Sequence, residues 1–286
     1  MNLKSEIIPV RFADGSSNSI NIFRSHTASA QTVIVIFPAM GVKANYYRHY
    51  ASEVSKQDVH VVTIDHRGYG HSSVKPSGKE NFGYKEQVEM EYPEIINKVK
   101  ELFPSQKLVV MGHSLGGQMG SMFVSRYHHL VNGLILNASC SVYYNGWGKA
   151  SYGILAFAKF SDLLAKALGY YPGNKIGFGG VEAQGVIKDW YHTAKTGKFS
   201  ASGSTYNYNE SMKNCKVPVL GITYQGDSSA PPAALINLLH KFSSAKVEYH
   251  HVPHPDFPKK KYNHYSWVKE PLISLSLITN WLKKIE

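Results

Sequence analysis

The chain has 286 residues, 43% of them hydrophobic and 18% charged, with a net charge of +11. That composition supports a sizeable core and excludes a disordered chain. It holds no apolar run of about 18 residues, so no membrane span is expected, and its two cysteines, Cys140 and Cys215, exclude a disulfide scaffold or a four-cysteine zinc site.

The length suits one large α/β domain or two small ones. Excess positive charge can serve nucleic acid, but here lysines and arginines are scattered. The one dense run, Lys259-Lys260-Lys261, reads as solvated surface, and no nucleic-acid partner is expected. Glu6 stands where a signal peptide would need its apolar stretch. A cytoplasmic protein with reduced thiols is therefore expected.

Two alternating stretches, Glu6 to Phe12 and Ser19 to Arg24, flank Asp14-Gly15-Ser16-Ser17 and predict a hairpin. Residues 32–37 are continuously apolar, as in a strand buried on both faces. A helix follows over 44–56 and a strand over 59–64. Residues 86–102 read as helix, with Pro93 starting or kinking the second part. Then come a strand at 107–111, a helix at 115–127 and a strand at 131–137. After residue 212 the alternation resumes: strand 217–223, helix 233–242, strand 246–252 and a last helix from about 267 to 284. Alternation of this kind predicts an α/β fold, a mostly parallel sheet with helices on both faces.

Residues 139–212 break the pattern. They are rich in Gly, Tyr, Ser and Asn, with an amphipathic helix over 153–168. The stretch is too long for a loop in a compact domain and reads as an inserted cap. The domain expectation is a core of 1–138 and 213–286, with the cap at 139–212.

Gly112-His113-Ser114-Leu115-Gly116 matches G-x-S-x-G. Alone the motif is common; its context is what informs. It directly follows a predicted strand and opens a predicted helix, where a nucleophilic serine on a tight turn requires it. The helix N-terminus then directs N–H groups at developing negative charge. His250, His251, His254 and Asp256 crowd one stretch near the C-terminus, but their spacing fits no standard metal-ligand pattern, and no metal or cofactor is expected. Asp65 and Arg67 read as a turn-stabilising ion pair.

With this motif, several others make the chain similar to the α/β-hydrolases over nearly its whole length. Phe37-Pro38-Ala39-Met40-Gly41 resembles the family's oxyanion turn. Asp65-His66-Arg67-Gly68-Tyr69-Gly70-His71-Ser72 resembles its Asp-x-Arg-Gly-x-Gly-x-Ser turn. Gly226-Asp227 resembles its acid loop, and Asn263-His264-Tyr265-Ser266-Trp267 its histidine loop. The cap segments Gly169-Tyr170-Tyr171-Pro172-Gly173, Gly177-Phe178-Gly179-Gly180 and Asp189-Trp190 look like those of a bacterial branch related to the serine aminopeptidase and monoacylglycerol lipase group.

The resemblance implies a triad in the family's chain order, Ser114, Asp227, His264. The position where some relatives carry the acid instead reads Asn137-Ala138-Ser139-Cys140, without a carboxylate. It also implies an oxyanion hole from the backbone N–H groups of Leu115 and Met40, with Gly41 the alternative to Met40. Where the family often has His-Gly, this chain has Pro38-Ala39, and an alanine taking the usual positive φ of glycine would be strained. His113 is expected to support the site or pack behind it.

The implied activity is that of a serine esterase on a small-molecule ester; thioester or amide cleavage would use the same parts. The other reading is a non-hydrolytic binding protein of the same fold. Trp147, Tyr170, Phe178 and Trp190 are the candidate substrate-binding residues, because an aromatic cap suits a hydrophobic or aromatic acyl group. No carboxylate pair is placed to hold a free amine, which disfavours an aminopeptidase.

Overall fold

A computed structural model describes residues 5–27 and 29–285; residues 1–4, 28 and 286 lie outside it. Among the described residues ten strands are formed: β1 (Glu6–Arg11), β2 (Ser17–Phe23), β3 (Thr32–Phe37), β4 (Val59–Ile64), β5 (Lys107–His113), β6 (Gly133–Asn137), β7 (Tyr170–Pro172), β8 (Val181–Ala183), β9 (Val219–Tyr224) and β10 (Val247–Val252). The helices are α1 (Arg48–Val54), α2 (Tyr92–Leu102), α3 (Leu115–Arg126), α4 (Ser151–Leu168), α5 (Gly173–Ile176), α6 (Gln184–Thr196), α7 (Tyr208–Asn214), α8 (Pro232–Leu239), α9 (Ser266–Lys269) and α10 (Leu272–Lys284).

Eight strands form one sheet in the order β1-β2-β4-β3-β5-β6-β9-β10. The hairpin β1–β2 adds antiparallel, and the other six strands run parallel. Successive side chains of a strand face opposite sides, and here both sides are covered. Val33, Val35 and Phe37 join one apolar cluster with residues of α2, α3 and α8. Ile34 and Ile36 join another with Tyr50 of α1, Trp267 of α9 and Trp281 of α10.

Prolines set two helix boundaries, the first as expected and the second not. Residues Glu86–Glu91 form a π-helical stretch, and α2 begins after it with Pro93 in its first turn, where the missing N–H is not needed. The expected single C-terminal helix is two, α9 and α10. Pro271 lies between them and has no N–H to continue the ladder.

The segment between β6 and β9 contains α4 to α7 and the separate two-stranded sheet β7–β8. Helices α4 and α6 pack together, while α7 lies against α3. Both ends of the segment leave and rejoin adjacent parallel strands. It thus starts at the C-terminal edge of the sheet, where open α/β sheets hold their ligands.

Candidate active site

Register builds the site. Phe37 at the end of β3 pairs with Gly112 of β5, so the turn after β3 runs beside the turn after β5. Ser114 occupies that second turn with φ 52° and ψ −119°, a conformation costly for a residue with a Cβ. The surroundings hold it there. Its N–H donates to the Ala138 carbonyl at 3.2 Å, and Ser139 Oγ donates to its carbonyl at 2.7 Å. The flanking glycines are required by close approach: a Cβ on Gly112 would stand 2.2 Å from Gly117 Cα, and one on Gly116 2.2 Å from Phe37 O. Leu115 opens α3, so its N–H has no acceptor within the helix.

Asp227 follows β9. Its Oδ1 accepts from the N–H groups of Ser229 (2.8 Å) and Ala230 (3.3 Å). Its Oδ2 lies 2.9 Å from His264 Nδ1. A carboxylate can only accept, so Nδ1 carries a proton, and the neutral tautomer this selects has its lone pair on Nε2. Both side chains are largely buried. The other histidines of that region are engaged elsewhere: His250 with Glu248 at 2.7 Å, His251 with Thr223 at 2.9 Å, and His254 against the Tyr262 ring.

Two buried histidines brace the turn after β3. His113 Nε2–H donates to the His264 carbonyl at 3.1 Å. Its Nδ1 accepts from the Tyr47 hydroxyl at 2.8 Å, and the Tyr47 oxygen accepts the Ala39 N–H at 2.9 Å. Burial, reinforced by neighbouring His264, holds the His113 pKa well below the usual imidazole range, so the ring is neutral. On the other side, His66 Nε2–H donates to the Pro38 carbonyl at 2.8 Å, and Nδ1 accepts from the Tyr92 hydroxyl at 2.8 Å. Burial lowers the His66 pKa to about 4. The Pro38–Ala39 peptide is therefore gripped at its carbonyl and at its N–H.

Ala39 does not take the positive φ that a glycine might have supplied; Gly41 does, at 76°. Asp65 and Arg67 are not paired with each other. Asp65 accepts the Ala44 N–H at 2.8 Å, while Arg67 pairs with Glu91 and Asp14, each at 2.7 Å. Residues two apart on a strand face the same side, but β4 ends at Ile64, so that relation does not carry into the turn and the two side chains reach different neighbours.

Ser114, His264, Leu115 and Met40 all line one cavity of about 310 Å³. Trp147, Phe178 and Trp190 line it too. Tyr170 does not: it sits on β7, where its neighbour Tyr171 is the fully buried side chain and Tyr170 faces the other way. Gly41 is also absent from the wall; its N–H favours the charged form of the Glu182 carboxylate instead. Sequence reasoning did not single out Gln118, Cys140, Val142, Ile154 or Tyr265, which complete much of the wall. Helical spacing signals one of them, since Gln118 follows Ser114 by one turn of α3. The others come together only through the fold. Cys140 and Cys215 are buried and unbridged.

The family model described as alpha/beta hydrolase fold matches residues 32–217, a span that contains Ser114 and ends before Asp227 and His264. No curated protein matches the chain. Among solved structures, a soluble variant of the monoglyceride lipase of Saccharomyces cerevisiae, in complex with a substrate analogue, is similar with a TM-score of 0.70 and 16% identity, over 100% of this chain and 98% of that one. An esterase of Pyrococcus furiosus is similar with a TM-score of 0.62 and 13% identity, over 98% and 91%. A thermophilic esterase of Thermogutta terrifontis gives 0.62 and 14%, over 98% and 99%.

Proposed function

Because the chain belongs to the α/β-hydrolase family, we propose that it is a serine hydrolase that cleaves a carboxylic ester of a small hydrophobic or aromatic molecule. Ser114 Oγ attacks the ester carbonyl as His264 Nε2 takes its proton. The backbone N–H groups of Leu115 and Met40 hold the oxyanion. His264 returns the proton to the departing alcohol, leaving the acyl group on Ser114. Water, activated by the same imidazole, then releases the acid. Asp227 fixes the imidazole tautomer and stabilises its cation. Residues 139–212 act as a cap over a core of 1–138 and 213–286, with Trp147, Phe178 and Trp190 contacting the acyl group.

One observation carries this reading: a strained serine on a strand-to-helix turn shares a cavity with a histidine whose Nδ1 is bonded to a buried carboxylate. Met40 is preferred to Gly41 as donor because Met40 lines the cavity while Gly41 faces Glu182. The test is labelling with a fluorophosphonate probe, with the modified residue mapped, followed by a panel of p-nitrophenyl esters of rising chain length. Label on Ser114 and turnover of at least one ester are expected. Label on another serine, or no label with no turnover, overturns the proposal.

A further inference from the structure

The cavity wall is apolar apart from a few groups, and no Asp, Glu, Lys or Arg belongs to it among the described residues. Ser114 and His264 are taken up by the chemistry. Gln118 is not. It is 3% exposed, it lines the same cavity, and its side-chain oxygen has no hydrogen-bond partner among the described residues. A buried carbonyl without a donor is unfavourable, and methionine or leucine would fill the space without that cost. The position supplies a use for it. Gln118 lies one helical turn beyond Ser114, about 6 Å along the axis of α3. Side chains on a helix lean toward its N-terminus, so the carboxamide reaches back toward the nucleophile. A carboxamide also turns readily about its last bond, presenting oxygen or nitrogen as a ligand requires.

We infer that Gln118 determines specificity, accepting a hydrogen bond from an uncharged hydroxyl or amide N–H that the ester carries within a few bonds of its carbonyl. This rests on the serine hydrolase reading above. The absence of ionised side chains from the wall is what makes the recognised group neutral. The aromatic wall binds the hydrocarbon part of the substrate, and the carboxamide selects among hydrocarbons of equal size. A site built to pair a polar group discriminates against its absence more sharply than an apolar wall discriminates length.

Matched ester pairs test it. On the acyl side the pair is p-nitrophenyl butyrate and p-nitrophenyl 3-hydroxybutyrate; on the alcohol side it is propyl butyrate and 3-hydroxypropyl butyrate. The wild type is expected to favour the hydroxylated member of at least one pair in kcat/KM. Gln118→Met is expected to lower that hydroxyl-to-alkyl ratio by about 10-fold or more, mainly by losing the hydroxylated substrate. Gln118→Leu, checked for a melting transition like the wild type's, gives the same reading should the methionine variant misfold. Unchanged ratios in a folded variant that still takes the fluorophosphonate label on Ser114 overturn the Gln118 assignment and leave the hydrolase reading standing. Absence of labelling and turnover in the wild type overturns both.

Discussion

At Ser114 the backbone is held at φ 52° by two hydrogen bonds and two glycine approaches. None of these uses the hydroxyl, so Ser114→Ala should fold as the wild type does while ester turnover falls by about 10³-fold or more. His264→Ala should be as damaging, and Asp227→Asn somewhat less so. Each of His250→Ala, His251→Ala and His254→Ala should keep most activity, since their rings are engaged away from the cavity. Steady-state rates on one reactive ester decide this; an essential residue among those three with a dispensable His264 would reassign the base. Tyr47 gives a second residue-scale prediction. Its hydroxyl accepts the Ala39 N–H and donates to His113. Tyr47→Phe leaves both partners buried and unpaired, which should lower stability by about 1–3 kcal/mol. Because the Ala39 peptide precedes Met40, kcat should fall more than KM rises. Denaturant melts and kinetics on the same preparation check both; a stability loss with unchanged kcat would make the contact purely structural.

Elements decide which aromatic side chains line the cavity. Phe178 lies between α5 and β8, Trp190 on α6 and Trp147 before α4, and their rings or walls converge on one cavity. Phe178 and Trp190 have ring centroids 5.5 Å apart. Replacing either by leucine, or Trp147 by leucine, should shift the preferred ester chain length. Tyr170→Leu should leave the profile as it is, because β7 turns that side chain away. The ester panel on folded variants is the measurement. A shift with Tyr170→Leu and none with the others would place the pocket elsewhere. Three glycines among the four residues 177–180 would by themselves suggest an adaptable loop in this wall. Gly180 answers to contact, since a Cβ there would lie 2.2 Å from the Tyr69 oxygen, and Gly179 to conformation as well, with φ 69° and a Cβ 3.0 Å from Met40 Sδ.

Across the whole molecule, the segment between β6 and β9 is seated on the turn after β3. A Cβ on Gly41 would lie 2.4 Å from Gly180 N, so two backbones touch there. Glu182 of β8 is buried at that seam and accepts a hydrogen bond from the Tyr69 hydroxyl at 2.7 Å. Burial pushes its pKa up to about 7, despite the opposing pull of Tyr69 and the N–H groups of Gly180 and Gly41. The unfolded carboxyl keeps its ordinary value near 4.5. Below that value both states hold the proton. Between it and about 7 the unfolded chain ionises while the folded chain stays protonated, so this group lowers stability as pH rises through the window and adds nothing further above it. Glu182→Gln keeps the acceptor for Tyr69 and removes the titration. Its Tm should therefore gain on the wild type from pH 5 to pH 8. Thermal melts at the two pH values test this, and parallel Tm curves for the two proteins would contradict it.

Local chemistry made the α/β layering and the nucleophile turn legible. Strand and helix periods are properties of neighbouring residues, and G-x-S-x-G between a strand and a helix is a local arrangement of backbone and Cβ. The breaks at Pro93 and Pro271 are local too, although the apolar pattern runs on across the second. The resemblance supplied Asp227 and His264 as candidates; their 2.9 Å contact required the C-terminal ends of β9 and β10 to lie side by side. Only the tertiary structure separated Asp65 from Arg67, since their partners come from elements distant in sequence. It alone placed Tyr170 outside the cavity and brought Cys140, Val142, Ile154 and Tyr265 into its wall. A residue's type and spacing give the face it occupies on its own element. What that face meets depends on strand order and on where an inserted segment comes to rest, and those follow from burial summed over the whole chain.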